Sequence, residues 1–295
     1  MFVTNIQRFS LDDGPGIRTT LFLSGCNMKC LWCHNPETFQ TVMLGYEPDK
    51  CAGCRSCEKV CKNGAHTFFG ASHQIKWNQC GKCFQCVKAC GHQALFRNSK
   101  EMAVKEVISE IEKDMRFYKR SSGGVTFSGG EPLLQRQELQ GALRECKKRG
   151  IHTAVDTAGN YPFDWLGPLL DDIDVVLMDC KAYTEEVHIK CTGCSNQQIL
   201  GNIQWLSNMG KNMWIRIPVI WNVNVTLDEM EKIAGFLKGK RVGKVELLPY
   251  HKMGVSKYKT YGQDYLIDEA LPAGKGEIGQ CYEVLKRHQI PVSDE

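Results

Sequence analysis

Short runs rich in β-branched residues alternate with amphipathic helical segments along most of this chain. This alternation is typical of parallel β/α units, in which each helix returns the chain to the same edge of a sheet. Six runs are predicted to be strands, at residues 19–24, 125–128, 152–156, 174–179, 212–219 and 244–248. Six such units predict an α/β fold built as a partial (β/α)6 barrel.

The segments between these strands carry the signals of helix faces and helix ends. Thr226 and Glu229 predict an N-terminal capping box, while Gly150 and Gly210 stand where C-terminal caps are expected. One apolar helix face is predicted from Val104, Val107, Ile108, Ile111 and Met115.

Residues 40–98 do not follow the alternation and contain most of the cysteines. We therefore predict three parts: residues 1–39 begin the barrel, residues 40–98 form an inserted domain after the first strand, and residues 99–295 complete the barrel. A chain of 295 residues with 42% hydrophobic content can bury one substantial core, which leaves room for a small insert.

The charge pattern gives little indication of a macromolecular partner. The net charge is only +4, and no run of basic residues suggests binding to nucleic acid or to an anionic membrane. No apolar run approaches the roughly 20 residues that a membrane span needs, and no signal-peptide pattern follows Met1. We expect a soluble, cytoplasmic monomer.

Eight of the 16 cysteines form two copies of one pattern, each spaced x2, x2, x3, and the copies are 29 positions apart. In bacterial two-cluster ferredoxins, three closely spaced thiolates bind one [4Fe-4S] cluster and the fourth binds the other. This rule predicts one cluster on Cys51, Cys54, Cys57 and Cys90, and another on Cys61, Cys80, Cys83 and Cys86. The proline that usually follows the fourth cysteine is replaced by Lys62 and Gly91. A pair of zinc knuckles and cysteines that only pack in a core are the alternatives.

A third group, Cys26, Cys30 and Cys33, has a different spacing and supplies only three thiolates. A [4Fe-4S] cluster with three protein ligands keeps one iron open, as catalytic zinc sites keep an open position. We interpret this group as the site of a reactive cluster. A zinc site or chance spacing is the alternative on spacing alone.

Unusual polar groups follow the predicted strands and do not precede them. Because chemistry in such barrels collects at the carboxyl ends of the strands, these groups predict a single pocket. The groups are the three-cysteine loop, residues 129–132, Asp156 with Thr157, residues 179–181, and residues 249–251.

These residues resemble a known family, the radical S-adenosylmethionine (SAM) activating enzymes of glycyl radical enzymes, which includes the pyruvate formate-lyase activating enzyme. The resemblance covers nearly the whole chain, and its motifs stand in the family's order. The motifs are at residues 13–18 (Asp-Gly-Pro-Gly-Ile-Arg), 26–36, 128–132 (Ser-Gly-Gly-Glu-Pro), 156–157, 179–181, 214–216 and 248–251 (Leu-Pro-Tyr-His).

The resemblance implies a role for each matching position. Cys26, Cys30 and Cys33 would bind the cluster whose open iron chelates SAM. Gly129, Gly130 and Glu131 would present backbone acceptors to the methionine amino group, and Trp32 and His34 would lie near the adenine. The methionine and ribose region would be lined by Asp156, Thr157, Asp179, Lys181, Arg216 and His251. A monovalent cation near the SAM carboxylate is also implied.

Asp13 would lie at the mouth of the pocket and meet the partner, and Asp13, Lys181 and His251 are the candidate catalytic residues. Each assignment has a simpler alternative. Gly129 and Gly130 could only form a tight turn. Lys181 and His251 could be solvated or core residues, and Trp32 could belong to the core. We predict that the remaining cysteines bind no metal: Cys146, Cys180, Cys191, Cys194 and Cys281.

By the same resemblance, the chain would cleave SAM reductively, and the 5′-deoxyadenosyl radical would take a hydrogen atom from a backbone glycine of a separate glycyl radical enzyme. A flavodoxin or ferredoxin would donate the electron. The two insert clusters would relay it, or would instead serve structure or docking. The partner would be a dehydratase or lyase, with a weak preference for a hydroxyproline dehydratase. A radical SAM enzyme acting on a small molecule or RNA, and a non-enzymatic polyferredoxin, are the alternatives.

Overall fold

The computed structural model describes residues 1–267 and 272–292. The strands in this part of the chain are β1 (Phe2–Ser10), β2 (Arg18–Leu23), β3 (Leu44–Tyr46), β4 (His66–Phe69), β5 (Ser72–Ile75), β6 (Leu95–Arg97), β7 (Lys100–Glu101), β8 (Gly124–Gly129), β9 (His152–Thr157), β10 (Val175–Asp179), β11 (Met213–Val219) and β12 (Lys244–Pro249).

Eleven α-helices connect or flank these strands within the described ranges. They are α1 (Ser56–Val60), α2 (Gln85–Ala89), α3 (Val104–Glu112), α4 (Met115–Ser121), α5 (Arg136–Lys148), α6 (Phe163–Leu166), α7 (Glu185–Thr192), α8 (Gln197–Asn208), α9 (Leu227–Leu237), α10 (Val255–Thr260) and α11 (Lys275–Arg287). Short 3₁₀ helices lie at Pro36–Thr38, Pro48–Lys50, Trp77–Gln79, Pro132–Gln135, Gly167–Asp172 and Lys252–Gly254.

The main sheet has eight strands in the order β12-β11-β10-β9-β8-β2-β1-β7. The six strands from β12 to β2 pair in parallel, which confirms the predicted parallel β/α units and an α/β fold with a mostly parallel central sheet. The expectation of six strands was incomplete, because β1 and β7 extend the sheet with antiparallel pairs. The run in β1 has β-branched residues at Val3, Thr4 and Ile6, but the polar Asn5, Gln7 and Arg8 interrupt it.

The predicted helix ends are mostly correct. Gly150 and Gly210 both have φ of +66°, the left-handed conformation expected just after a helix. The Thr226 hydroxyl accepts a hydrogen bond from the Glu229 N–H at 3.2 Å, so Thr226 caps α9. The reciprocal half of the predicted capping box is wrong, because the Glu229 carboxylate accepts the Thr184 N–H at 2.7 Å instead.

The predicted apolar face from Val104 to Met115 is divided between two helices. Helix α3 ends at Glu112, and Met115 begins α4. Both helices pack on the main apolar core, which takes at least one fully buried residue from each parallel strand. They include Leu21, Phe127, Val155, Met178, Ile215 and Val245. Across the described ranges, we find no helix that combines the length and the apolar character needed to cross a membrane.

Residues 40–98 form two small antiparallel sheets, β3 with β6 and β4 with β5, around a separate apolar cluster. The repeat of 29 residues extends from the cysteines to the secondary structure, since α1 and α2, and β4 and β6, begin 29 positions apart. Even the left-handed backbone positions repeat, with Arg55 at φ +60° and Phe84 at φ +57°. This segment is therefore two copies of one structural unit.

Candidate active site

The polar groups predicted at the strand ends surround one cavity of about 510 Å³, which we call the rim cavity. Its volume lies within the range usual for small-molecule sites. It lies at the carboxyl ends of the parallel strands, where open α/β sheets bind their ligands. The predicted site residues that line it are Asp13, Cys30, Trp32, Cys33, His34, Gly129, Asp156, Asp179, Lys181, Arg216 and His251.

The three-cysteine loop forms one wall of the rim cavity. Its backbone is fixed by the Lys29 N–H, which donates to the Thr192 carbonyl at 2.9 Å, and by the Tyr258 hydroxyl, which donates to the Cys33 carbonyl at 2.9 Å. Cys30 also lines a second cavity of about 470 Å³, shared with Cys26. The loop therefore presents its thiols between two cavities.

The donor set of this loop suits a metal cluster. Burial raises the pKa of the Cys26 thiol to about 12 and that of the Cys30 thiol to about 11, and it also raises the pKa of the Cys33 thiol. Thiolates are the form that binds iron, so these thiols need a bound cation to ionise near neutral pH. Three converging thiols beside a polar cavity fit a cluster with one open position.

Arg216 is the centre of an ion-pair network on the opposite wall. Its guanidinium lies 3.3 Å from the Asp156 carboxylate, 3.3 Å from that of Glu246 and 3.9 Å from that of Asp13. Burial disfavours the cation, but the negative charges of Asp156 and the other carboxylates outweigh it and raise the pKa of Arg216. Arg216 is therefore a permanent positive charge in a site that also holds several acids.

Two short contacts fix the acids of this network. The Ser128 hydroxyl donates to the Asp156 carboxylate at 2.6 Å, and the Thr20 hydroxyl donates to the Asp13 carboxylate at 2.7 Å. Burial raises the pKa of Asp156, and the charge of Arg216 opposes that shift. These carboxylates supply oxygen atoms of the kind that bind a monovalent cation or a ligand ammonium group.

Lys181 is buried and donates a hydrogen bond to the Asp179 carboxylate, two residues before it. Burial alone would favour the neutral amine, but the Asp179 charge raises the pKa of Lys181. The backbone of Lys181 is fixed by Asn224, whose side-chain amide donates to the Lys181 carbonyl at 2.7 Å. The cavity therefore presents an ammonium group in a fixed position.

His34 and His251 lie together at the rim, a pairing that the sequence did not indicate. Their rings stack with centroids 3.9 Å apart, and a ring nitrogen of His34 lies 2.9 Å from the His251 carbonyl. Burial lowers the pKa of His34. Trp32 is buried in an apolar cluster with Tyr250, so it also serves the core.

The glycine-rich turn after β8 packs directly against the three-cysteine loop. The N–H groups of Gly130 and Glu131 donate to the carbonyls of Leu23 and Gly25, each at 2.8 Å. A Cβ on Gly130 would lie 2.0 Å from the Gly25 oxygen, and Gly129 has a φ of +107°. Both glycines are therefore required by close backbone approach, whatever they bind.

Four residues predicted for this site do not line the rim cavity: Cys26, Gly130, Glu131 and Thr157. The Glu131 carboxylate is buried, and it accepts the Thr157 hydroxyl at 2.8 Å and the Ala158 N–H at 3.0 Å. Burial raises the pKa of Glu131 to about 7. Glu131 and Thr157 thus join the β8 and β9 loops through their side chains, and a role toward a ligand through their backbones stays a prediction.

Some residues that hold the site were not selected from the sequence. Glu246 pairs with Arg216, and Asn224 orients the loop after β11 as well as Lys181. Arg18 belonged to a motif without an assigned role. It is completely buried and donates to the Thr126 hydroxyl at 2.6 Å and the Pro15 carbonyl at 2.9 Å, which fixes the loop that carries Asp13.

The eight cysteines of the repeat converge in two groups. Cys51, Cys54, Cys57 and Cys90 line one pocket, and Cys61, Cys80, Cys83 and Cys86 line another. Each pocket therefore combines three thiols of one copy with the fourth thiol of the other, the same sets that the spacing predicts. Four thiols around one small pocket suit either a [4Fe-4S] cluster or zinc.

The other cysteines have different surroundings. Cys146, Cys180 and Cys281 are buried in the main core. The Cys191 thiol lies 3.5 Å from the Val223 carbonyl, and the Cys194 thiol lies 3.5 Å from the Thr192 hydroxyl. That these five bind no metal stays a prediction.

Comparison with known proteins identifies the family. Residues 20–237 match the model of the radical SAM superfamily. The 4-hydroxyphenylacetate decarboxylase activating enzyme of Clostridioides difficile (strain 630) is 35% identical, over 96% of this chain and 92% of that protein. The trans-4-hydroxy-L-proline dehydratase activating enzyme of Clostridioides difficile is 39% identical, over 89% of this chain and 88% of that protein.

A solved structure agrees with these matches. The crystal structure of a domain of pyruvate-formate lyase-activating enzyme from Bacteroides vulgatus superposes with a TM-score of 0.50 at 29% identity, and it covers 58% of this chain and 98% of that domain. With relatives aligned over almost the whole chain, the protein is an enzyme of radical SAM redox chemistry, for which the family implies a [4Fe-4S] cluster and SAM. The chain belongs to the radical SAM superfamily and, within it, to the activating enzymes of glycyl radical enzymes.

Proposed function

We propose that this enzyme cleaves SAM reductively and directs the 5′-deoxyadenosyl radical to a backbone glycine of a partner glycyl radical enzyme. The observation that carries the proposal is the rim cavity, where Cys30 and Cys33 face Asp156, Lys181 and Arg216. The proposed cluster site, which would supply the electron, therefore lies next to a charged pocket that suits the methionine part of SAM.

In this proposal, Cys26, Cys30 and Cys33 hold the [4Fe-4S] cluster. When bound, the cluster supplies the electron that cleaves a carbon–sulfur bond of SAM. The chain itself supplies position and charge. The three thiols are partly exposed to the two cavities, and the anchored loop keeps their spacing.

The charged groups of the cavity would bind the polar parts of SAM. Lys181 and Arg216 are permanent cations suited to its carboxylate, while Asp156 and Asp179 suit the ribose hydroxyls or a bound monovalent cation. The stacked rings of His34 and His251, together with Trp32, offer aromatic surfaces for the adenine.

Asp13 is proposed to meet the partner's glycine loop at the mouth of the cavity. Its carboxylate is oriented by the Ser10 hydroxyl at 2.5 Å and the Thr20 hydroxyl at 2.7 Å. The neighbouring Phe9 and Leu11 are exposed to 54% and 70%, so an apolar edge stands beside this acid. An exposed apolar edge of this kind suits contact with a protein.

We also propose that residues 40–98 form a ferredoxin-like domain with two further [4Fe-4S] clusters. The two groups of four thiols support this, because each follows the crossed pairing of two-cluster ferredoxins. The segment has eight Lys and Arg residues against three Asp and Glu, whereas the whole chain has a net charge of only +4. A basic surface favours an acidic electron donor such as a flavodoxin or ferredoxin.

The partner is proposed to be a glycyl radical dehydratase, with trans-4-hydroxy-L-proline dehydratase as the first candidate. The 39% identity to an activating enzyme for that dehydratase supports the choice. A decarboxylase partner is supported almost equally well by the relative that is 35% identical.

The test is to incubate the anaerobically reconstituted enzyme with SAM, dithionite and the purified dehydratase, and to record the electron paramagnetic resonance (EPR) spectrum. We expect the doublet of a glycyl radical, dependent on SAM and absent with Cys30→Ala. Formation of 5′-deoxyadenosine without a radical on any of the dehydratase, decarboxylase or lyase partners would refute the assignment to a protein substrate. Absence of both products would contradict the proposed reductive cleavage of SAM.

A further inference from the structure

The two copies within residues 40–98 differ at two buried positions that face the thiols. His73 on β5 corresponds to Leu44 on β3, and His66 on β4 corresponds to Leu95 on β6, each 29 positions away. His73 lines the pocket of Cys51, Cys54, Cys57 and Cys90, while Leu44 lines the pocket of the other four thiols. Each pocket therefore has one histidine and one leucine at exchanged positions, His73 and Leu95 in the first and Leu44 and His66 in the second.

The ring of His73 contacts two of the thiols. One ring nitrogen, Nδ1, lies 3.8 Å from the Cys51 Sγ, and the other, Nε2, lies 3.8 Å from the Cys57 Sγ. Phe68 stacks on the ring at 4.5 Å with an interplanar angle of 8°, and Tyr46 packs edge-on at 4.6 Å. The imidazole is thus clamped between aromatic rings with its polar edge toward sulfur.

A hydrogen bond between the two rings links the tautomer of His73 to that of His66. Its Nδ1 lies 2.9 Å from the His73 Nε2, which is hydrogen-bond distance between two ring nitrogens. Only one of those two nitrogens can carry a hydrogen in this bond. When His66 donates, the His73 Nε2 is the acceptor, and the remaining N–H of His73 is on Nδ1, which faces Cys51.

The two histidines also connect the pockets. His66 lines the pocket of Cys61, Cys80, Cys83 and Cys86, and His73 lines the other pocket. Both side chains are buried, with 3% and 8% of their surface exposed. A polar pair of this kind in a small apolar core has a cost that a purely structural unit could avoid by placing leucine at both positions, as at the equivalent Leu44 and Leu95.

We propose that His73, oriented by His66, gives the cluster bound by Cys51, Cys54, Cys57 and Cys90 a higher reduction potential than the cluster bound by Cys61, Cys80, Cys83 and Cys86. An N–H directed at a ligand sulfur stabilises the extra negative charge of the reduced cluster, and such hydrogen bonds are among the determinants of cluster potential. Leu44 cannot donate to the corresponding thiols, and His66, which also lines that pocket, contacts His73 through its Nδ1. The inference rests on the two clusters proposed above.

The experiment uses the full chain with Cys26, Cys30 and Cys33 replaced by Ala, so that only the two insert clusters contribute to the spectrum. An EPR-monitored redox titration should resolve two potentials in this background. Adding His73→Leu, which copies the residue of the other unit, should lower the higher potential by about 59 mV, a roughly tenfold change in the equilibrium of a one-electron couple. The lower potential should stay unchanged.

His73→Gln is the matched control, because it keeps an N–H donor and should retain more of the separation than His73→Leu. His66→Leu should reduce the separation by releasing the orientation of His73. Two equal potentials in the background protein, or a separation that His73→Leu leaves unchanged, would overturn the inference. If His73→Leu loses its iron, the background protein and His73→Gln still decide the matter.

If the two proposed clusters do not exist, the experiment gives a result that differs from failure of the tuning role of His73. The background protein should contain about eight irons per chain, four for each cluster. Iron far below that value would refute the two-cluster domain before any potential is measured. Cys57, His66 and His73 are also close enough to bind a single metal ion, with ligand atoms within 4.8 Å of one another. Stoichiometric zinc that disappears with His73→Leu would overturn the tuning role in favour of such a site.

Discussion

The guanidinium of Arg216 on β11 lies 3.3 Å from the carboxylate of Asp156 on β9, so this ion pair reaches across the end of the intervening strand β10. The register of the sheet makes this possible, because Asp156 is opposite Leu177 on β10, and Asp179 is opposite Arg216. Residues that are 60 positions apart in sequence thus meet at one rim through strand pairing alone.

Replacing Arg216 by Met should destabilise the protein strongly. The substitution leaves Asp13, Asp156 and Glu246 without their buried countercharge, and breaking such a pair costs about 3–5 kcal/mol. Anaerobic urea denaturation should show the loss as a lower midpoint. Arg149→Met is the control, because Arg149 makes its ion pairs at the surface and should shift the midpoint little. Equal midpoints for both variants would contradict the assigned role of the network.

Glu131 should make stability depend on pH. In the folded protein burial raises its pKa to about 7 from the ordinary value of 4.5, so the protonated form is favoured by folding. That stabilisation is fully present below the ordinary pKa of 4.5, and it is lost as the pH rises through the raised pKa of about 7. Glu131→Gln stays neutral, so the free energy of unfolding of the wild type relative to this variant should fall by at most about 3 kcal/mol between about pH 5 and pH 8. A pH-independent difference between the two proteins would contradict the raised pKa.

Gly130→Ala should damage the site through the backbone. The added Cβ would lie 2.0 Å from the Gly25 oxygen, so the β8 turn and the three-cysteine loop would have to separate. We expect a strain of about 1–3 kcal/mol and weaker SAM binding, measured by calorimetry on the reconstituted protein. Gly235→Ala on α9 is the control, since a Cβ there meets nothing within 4 Å and should stabilise the helix by about 0.5–1 kcal/mol. Unchanged SAM affinity in Gly130→Ala would refute the coupling between the two loops.

The role of the insert can be tested with Cys51→Ala and Cys80→Ala. If the insert relays electrons, both variants should lose SAM cleavage driven by reduced flavodoxin or ferredoxin, while dithionite, a small reductant, should restore part of it. The measurement is 5′-deoxyadenosine formed with each reductant. Full activity of both variants with the protein donor would exclude the relay and favour a structural or docking role.

Much of the fold was predictable from the sequence because parallel strands are buried on both faces and read as continuous apolar runs. All six parallel strands lie within a residue or two of the predicted ranges. Strand β1 was missed because its polar residues obscure the pattern, and β7 has only two residues. Short or mixed runs form strands only when a neighbouring strand is available, which sequence alone does not show.

Some residues of the candidate site were also predictable from the sequence, and others were not. Asp156, Asp179 and Arg216 were predictable because each stands at the end of a strand. Glu246 and Asn224 were not, because their importance comes from partners far away in the chain: Glu246 pairs with Arg216, and Asn224 holds Lys181. The stacking of His34 on His251 joins residues 217 positions apart and required the tertiary structure as well.

The central claim is that Cys26, Cys30 and Cys33 hold a cluster with an iron open to SAM, and one measurement tests it most directly. The anaerobically reconstituted, dithionite-reduced protein is titrated with SAM while its EPR spectrum is recorded. We predict that SAM changes the signal of one cluster and that the Cys26→Ala, Cys30→Ala and Cys33→Ala variants lack both that signal and the change. A spectrum indifferent to SAM, or one that the three variants share with the wild type, would contradict the account.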